Sequence, residues 1–177
     1  AANVDSLKDL DNAKRFGAAG VGLFRTEYLF LQRQHLPDEE EQFLTYKSML
    51  ESMKGHPVTI RTIDVGGDKL AETLTSLSEP NPFLGLRAIR LCLRERPELL
   101  RTQLRAMLRA GIYGSLKIMF PMISCIEEVL HLKKILEEIK AELRQKRIEF
   151  AENYEIGIMV EIPAAALIAE TLAEQVD

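Results

Sequence analysis

Residues 58–64 read Val-Thr-Ile-Arg-Thr-Ile-Asp, a short apolar strand with an arginine inside it and an aspartate at its end, running into a Gly66-Gly67 turn. Three other stretches share this plan. Val21–Phe24 is apolar and leads into Arg25-Thr26-Glu27, Leu116–Met122 reads LKIMFPM, and Glu155–Glu161 reads EIGIMVE. Between these strands the apolar residues fall at helical spacing. Ser6–Phe16 carries Leu7, Leu10, Ala13 and Phe16, with Asp5 as the expected N-cap, and Gly17 and Gly20 break it. Asp38 to Lys54 opens on a capping-box spacing, Asp38 with Glu41. Helices are expected over Gly85–Arg94 and Pro97–Ala110, the latter with proline at its first position and Gly111 as its stop. Ser124 with Glu127 is expected to cap a long helix to about Arg147, and Pro163 begins a last one toward Asp177.

Strands separated by helices imply parallel pairing, because a parallel crossover needs a dozen or more residues. A doubly wound sheet and a barrel both satisfy this. The ends of the strands favour the barrel: ionisable residues close three of the four strands, as Arg25 and Glu27, Arg61 and Asp64, and Glu161. Functional groups spread over several strand ends are the habit of (β/α)8 barrels. The expected fold is α/β, a partial (β/α)8 TIM-type barrel of four parallel strands with flanking helices, about half a barrel, forming one incomplete domain over residues 1–177.

Composition narrows the function. With 46% hydrophobic and 28% charged residues in 177, the chain has the balance of one soluble globular domain with a sizeable core. A net charge of −4 provides no general basic field for nucleic acid. Cys92 and Cys125 are far apart and lack metal-ligand spacing, and they read as small buried hydrophobes. No apolar run approaches the ~20 residues that span a bilayer, so membrane insertion is not expected. Ala1–Asp11 shows no signal-peptide pattern, which makes the cytoplasm the default. His35, His56 and His131 share no spacing and read as surface or packing residues, and Met107, Met119 and Met122 as core. The charge run from Glu127 to Glu149 reads as a solvated helix face, with Glu138 and Glu142 offset by Lys134 and Lys140.

Arg61 is the residue that calls for chemistry. An arginine embedded in an apolar strand needs an anionic partner, because burying its charge alone is costly. An ion pair with Glu27 or Asp64 meets that need, and so does an anionic ligand held by the planar guanidinium fork. Arg25, Arg61, Lys69 and Arg87 are more cations than two acids require, which favours the ligand. Arg25 and Glu27, two apart in one strand, are expected to point the same way. Gly66-Gly67-Asp68-Lys69 either lets backbone and a lysine approach a phosphate or is a plain tight turn; it lacks the Walker A spacing. Glu161 suits a Mg²⁺ ion beside a phosphate-bearing substrate, and equally a contact with the N-terminus of the helix after it.

Five collinear blocks then resemble one family. GLFRTEYLF (22–30), RTIDVGGDK (61–69), NPFLGLRAIR (81–90), IMFPMI (118–123) and VEIPAA (160–165) are similar to the phosphoenolpyruvate–protein phosphotransferases, enzyme I of the bacterial sugar phosphotransferase system. The resemblance covers essentially the whole chain. It implies a barrel that binds phosphoenolpyruvate and Mg²⁺ and passes the phosphoryl group to a histidine on a separate mobile domain, which in turn serves a histidine-containing phosphocarrier protein. It implies that Arg25 and Arg61 hold the phosphate, that Lys69 and Arg87 are further substrate-pocket positions, and that Glu161 is one of two Mg²⁺ carboxylates. The family's Gly-Thr-Asn-Asp-Leu motif with the second carboxylate, its acid–base cysteine and its phospho-accepting histidine are not found in this sequence. The chain is therefore expected to be the first half of a barrel, inactive alone, as a fragment or truncated product. Ala1–Val4 resembles the tail of the barrel's first strand.

Other readings remain: a pyruvate phosphate dikinase or phosphoenolpyruvate synthase barrel, which the GGDK form disfavours; a non-catalytic dimerisation fragment; or a Mg²⁺-dependent lyase, against which GLFRTE argues. A homodimer or self-association is expected, because an open half-barrel would leave two strand edges and an apolar inner face uncovered.

Overall fold

A computed structural model describes residues 1–31, 35–65 and 85–177. Lys69, the Gly66-Gly67 turn and the first residues of the 81–90 block lie outside the described residues. Five strands form one parallel sheet in sequential order, β1 (Ala2–Val4), β2 (Val21–Phe24), β3 (Pro57–Arg61), β4 (Ser115–Phe120) and β5 (Glu155–Ile158). The fifth strand beyond the four expected is the N-terminal stub itself, with Asn3 paired to Leu23 and Val4 to Phe24. The described helices are α1 (Leu7–Arg15), α2 (Glu27–Leu31), α3 (Glu39–Ser52), α4 (Ala88–Arg94), α5 (Pro97–Ala110), α6 (Ile126–Gln145), α7 (Pro163–Leu167) and α8 (Ala169–Ala173).

The two faces of the sheet differ. Val4, Phe24, Val58, Ile60, Leu116, Ile118 and Phe120 are buried against Tyr46, Met49 and Leu50 of α3, Leu104 and Leu108 of α5, and Leu132, Leu136 and Ile139 of α6. The opposite face carries Thr59, Arg61, Lys117 and Met119, which are only partly buried. Sequential parallel strands with α3, α5 and α6 on one face make a sector of a barrel, while Ala169 and Ala173 of α8 line a cavity with Thr59, Lys117 and Met119 of the other face; a doubly wound sheet would cover both faces with crossover helices. The inner face is not the apolar surface expected. Lys117 and Glu155, on neighbouring strands, form an ion pair across it, and Arg61 sits further along. At the β5 edge, the Asp177 N–H donates to the Ile156 carbonyl at 2.9 Å, and the Ile156 N–H donates to Asp177 Oδ2 at 2.8 Å. No described helix is long and apolar enough to cross a membrane.

Several boundaries move for local reasons. The N-cap of α1 is Ser6, whose hydroxyl accepts from the Asp9 N–H at 3.3 Å, not Asp5. Asp38 and Glu41 do form the reciprocal capping box of α3. The long helix α6 is capped by Glu128 reaching back to the N–H groups of Ser124 and Cys125, with Cys125 at the N-cap, so Glu127 is not the partner. Cys125 is accordingly half-buried at a helix end, while Cys92 is buried and its thiol is pushed up to about 12 by desolvation. The last helix breaks at Ile168 into α7 and α8. The three histidines are exposed, as surface residues. Met107 and Met122 are core, and Met119 lies on the inner face.

Three helices are stitched together on the outside by arginines one turn apart on α5. Arg101 reaches Glu138 (2.8 Å) and Glu142 (2.5 Å), Arg105 reaches Glu39 and Glu142 (both 3.1 Å), and Arg109 reaches Glu39 and Glu40 (both 2.7 Å). Glu138 and Glu142 are thus paired directly from α5; of the two lysines expected to offset them, Lys140 pairs instead with Glu137 at 2.8 Å, and Lys134 acts on Glu138 only through its charge. Close packing adds a second constraint: a Cβ on Gly114 would stand 2.9 Å from the Leu50 carbonyl oxygen.

Two outcomes follow for stability. Arg105→Ala removes the rung that joins α3 to α6 through α5, and should cost about 1 kcal/mol, less at molar salt. The hydrogen bond from Arg101 holds the Glu138 carboxyl below its ordinary value of 4.5. Its contribution is therefore complete above that value and disappears as pH falls through the lower folded-state value. Chemical denaturation at neutral and acid pH, with and without salt, measures both. Gly114→Ala should destabilise by ~1–3 kcal/mol through overpacking against a backbone atom that cannot yield; an unchanged melting temperature would show that the α3–β4 contact relaxes freely.

Candidate functional site at the strand ends

The C-terminal ends of β2 and β3 gather four charged residues. Arg61 is the last residue of β3 and its side chain is only 11% exposed. Its Nη2 lies 3.1 Å from Glu27 Oε1 and its Nη1 lies 3.3 Å from Asp64 Oδ2. Nη1 also approaches the Met159 sulfur at 3.5 Å, a weak acceptor. Among the described residues the buried Nε has no partner. Asp64 in turn accepts from Arg87, at 2.8 Å from Nη2 and 3.3 Å from Nε. Glu27 Oε1 also accepts the Asp64 N–H at 2.7 Å. Arg61 and Arg87 thus alternate with Glu27 and Asp64 in one continuous cluster.

Arg25 is not in that cluster. The strand β2 stops at Phe24, and Glu27 opens α2, so the alternation expected to align Arg25 with Glu27 does not extend that far. Arg25 turns to the exposed side and makes a two-pronged ion pair with Asp5, at 2.5 and 2.6 Å. That hydrogen bond raises the arginine's pKa, and the guanidinium stays charged. The described cluster therefore holds two arginines against two carboxylates, and the excess of cations expected from the sequence does not assemble among the described residues. Lys69, the remaining cation, lies outside them.

Glu161 is exposed, three residues past the end of β5. Its Oε1 accepts the Met122 N–H at 2.7 Å, so its contact is with the β4 end and not with the helix that follows. One carboxylate with a remaining oxygen has the right chemistry for a single ligand of a hard cation such as Mg²⁺. Among the described residues no group of three or more His, Cys, Asp or Glu is gathered as a complete metal cage would need.

Two of the three described non-glycine residues with positive φ lie at the same rim; the third, Arg147, follows the end of α6. Ala88, immediately after Arg87, has φ 48°, and Met122, the donor to Glu161, has φ 57°. Non-glycine residues in this region cost of order 1–3 kcal/mol and persist where surroundings over-determine them. Here the Ala88 N–H is bonded to the Val65 carbonyl at 2.9 Å and the Met122 N–H to Glu161.

Sequence reasoning passed over Asp5, Met159 and Gln103. Asp5 carried a signal, being the acid nearest the end of β1. Met159 carried none. Gln103 is fully buried although its neighbours on α5 alternate apolar and basic, and a polar residue there looks like surface until the helix is docked.

Comparison with known proteins follows the same lines. Residues 1–177 match the family described as PEP-utilising enzyme, PEP-binding domain. The chain is 52% identical over 177 residues to a phosphoenolpyruvate-protein phosphotransferase of Priestia megaterium, covering 100% of this chain and 31% of that protein. It is 51% identical over 176 residues to one of Haemophilus influenzae (99% of this chain, 30% of that protein) and 51% over 177 residues to one of Staphylococcus carnosus (100% and 31%). The chain thus spans about a third of the length of these curated relatives. With a match from its first residue to its last, the chain belongs to the family of PEP-binding domains of PEP-utilising enzymes.

Proposed function

We propose that this chain, as the N-terminal part of a phosphoenolpyruvate-binding barrel over residues 1–177, supplies the anion-binding rim of a phosphoenolpyruvate–protein phosphotransferase. The observation that carries the reading is Arg61: a nearly buried guanidinium whose Nε has no partner among the described residues and whose Nη1 leans partly on a thioether. A phosphate oxygen would satisfy that Nη1 far better than the sulfur does. Relatives that all bear the phosphotransferase name favour this over a dikinase or synthase barrel.

In this reading Arg61 is the fixed anchor for the substrate phosphate, held in place by Glu27 and Asp64. Arg87, oriented by the same Asp64, and Lys69 complete the substrate pocket, and Arg25 joins it by exchanging Asp5 for the ligand. Phosphoryl transfer requires positioning and charge stabilisation more than covalent help from the protein. The bond between phosphorus and the enol oxygen breaks, releasing the enolate of pyruvate, as the bond to an acceptor histidine nitrogen on a separate domain forms; among the described residues no group of three or more metal-ligating side chains is gathered. Glu161 would be one ligand of Mg²⁺, which supplies neutralisation of phosphoryl oxygen charge when bound. The reaction would start a sugar phosphotransferase system in the cytoplasm, with a histidine-containing phosphocarrier protein as the onward partner and a second copy of the chain as a dimer partner.

In the phosphotransferase that contains this chain, Arg61→Ala should lower kcat/KM for phosphoenolpyruvate at least about tenfold, ~1.4 kcal/mol. Arg61→Lys should not restore it fully, because a point charge lacks the fork. Steady-state kinetics on the three proteins decides; an alanine variant with native kinetics removes Arg61 from the site.

A further inference from the structure

We infer that Gln103 is a positioning residue for this rim, acting through the backbone of residues 61–64 and not on the ligand. The inference rests on the substrate reading above. Past the end of β3 the sheet ladder gives out: the Thr62 N–H still reaches the Met119 carbonyl at 2.9 Å, but Ile63 and Asp64 have no strand to donate to. Their N–H groups are taken by side chains instead. Asp64 donates to Glu27 at 2.7 Å, and Ile63, itself buried, donates to Gln103 Oε1 at 2.8 Å.

Gln103 reaches this point from α5, behind the sheet, and it is fully buried. Because a backbone N–H can only donate, its partner must be the amide oxygen, and this fixes which way the amide faces. The two hydrogens of Nε2 then go to Thr26 Oγ1 at 3.2 Å and to the Tyr46 hydroxyl at 3.1 Å. Thr26 passes its own hydrogen to the Arg61 carbonyl at 2.9 Å. Tyr46 passes its hydrogen to Gln42 Oε1 at 3.1 Å, and Gln42 Nε2 ends the chain on the Pro37 carbonyl at 3.0 Å. Burial pushes the Tyr46 phenol up, so it remains a donor across the neutral range. Every donor and acceptor along this path is used in one direction only.

One amide therefore holds both sides of Thr62: the Ile63 N–H directly and the Arg61 carbonyl through Thr26. Arg61 and Asp64, the residues whose side chains form the anion cluster, flank that held segment. A misplacement of about 1 Å at a reacting centre can cost roughly a hundredfold in rate, so a buried amide on a distant helix has leverage on the site without touching it.

The test uses the intact phosphotransferase that contains this chain. Gln103→Met keeps length and removes the hydrogen bonds; Thr26→Val and Thr26→Ser remove and retain the hydroxyl; Leu104→Ala, in the next position of the same helix and equally buried, is the stability comparison. Well below each melting temperature, Gln103→Met and Thr26→Val should raise KM for phosphoenolpyruvate about tenfold or more, and Thr26→Ser should stay within about twofold of native. Exchange of the Ile63 amide hydrogen should accelerate in Gln103→Met. Leu104→Ala should lower the melting temperature and leave KM in place. If Gln103→Met and Thr26→Val merely melt earlier, as Leu104→Ala does, with native KM, the network is only core packing and the inference falls. Should Gln103→Met not fold, the Thr26 pair decides. If the native enzyme shows no saturable dependence on phosphoenolpyruvate, the substrate reading fails instead. Binding of inorganic phosphate then judges the positioning role, supported if Thr26→Val weakens it and overturned if it does not.

Discussion

A guanidinium placed at the end of a parallel strand, nine parts in ten out of water, sets the terms for everything around it. Arg61 cannot be left alone there, since an uncompensated buried charge costs several kcal/mol. Its two carboxylates come from different directions. Asp64 arrives by continuing the same chain three residues past the strand, and Glu27 arrives because β2 is cut short and the chain turns into α2. The second carboxylate brings a second cation, since Asp64 is shared with Arg87 on the far side of the 66–84 segment. Four residues from three parts of the sequence are thus brought together by the electrostatic requirement of one.

The scaffold and the rim divide the work between the two faces of the sheet. The helix side holds the apolar core and, on its outside, the arginine rungs of α5 that tie α3 to α6. The strand ends hold the charge cluster and the strained backbone at Ala88 and Met122. This is the distribution expected when stability must come from elsewhere to support a site that is locally unfavourable. Gln103 belongs to both halves, a side chain rooted in the scaffold whose hydrogen bonds end at the rim.

The architecture was legible because it rests on periodicity. Alternation of apolar strands with amphipathic helices, a proline opening α5 and the Asp38–Glu41 box are local signals, and each held where it fell. The parts that were not legible depend on where a strand stops. Reading β2 through to Glu27 placed Arg25 beside Glu27; in fact the strand ends at Phe24, because Thr26 turns inward to bond the Arg61 carbonyl and the next turn is helical. The inner face was expected to be apolar from the run of strand residues, yet Lys117 and Glu155 neutralise each other there through a pairing that only the β4–β5 register reveals. Gln103 shows the same limit: within RTQLR a glutamine is indistinguishable from a solvated residue until α5 is rotated against the sheet.

The cation count illustrates how pairing changes an argument drawn from composition. Four basic residues against two acids suggested a site waiting for an anion. In the folded chain Arg25 is removed from that sum by Asp5, and Arg61 and Arg87 are matched by Glu27 and Asp64. The matching is unequal in strength. The Arg25–Asp5 pair is half exposed, and such pairs are worth about 0–1 kcal/mol. The Arg61 contacts are nearly buried, and breaking them would leave Glu27 without its cation and Asp64 with Arg87 alone among the described residues. The strand-end region therefore holds two kinds of arginine. Arg61 is held from two sides by carboxylates, and its buried Nε has no partner among the described residues. Among those residues Arg25 is held by Asp5 alone, in a half-exposed pair that ties the end of β2 to the β1–α1 turn and that screening weakens far more than it weakens the Arg61 contacts.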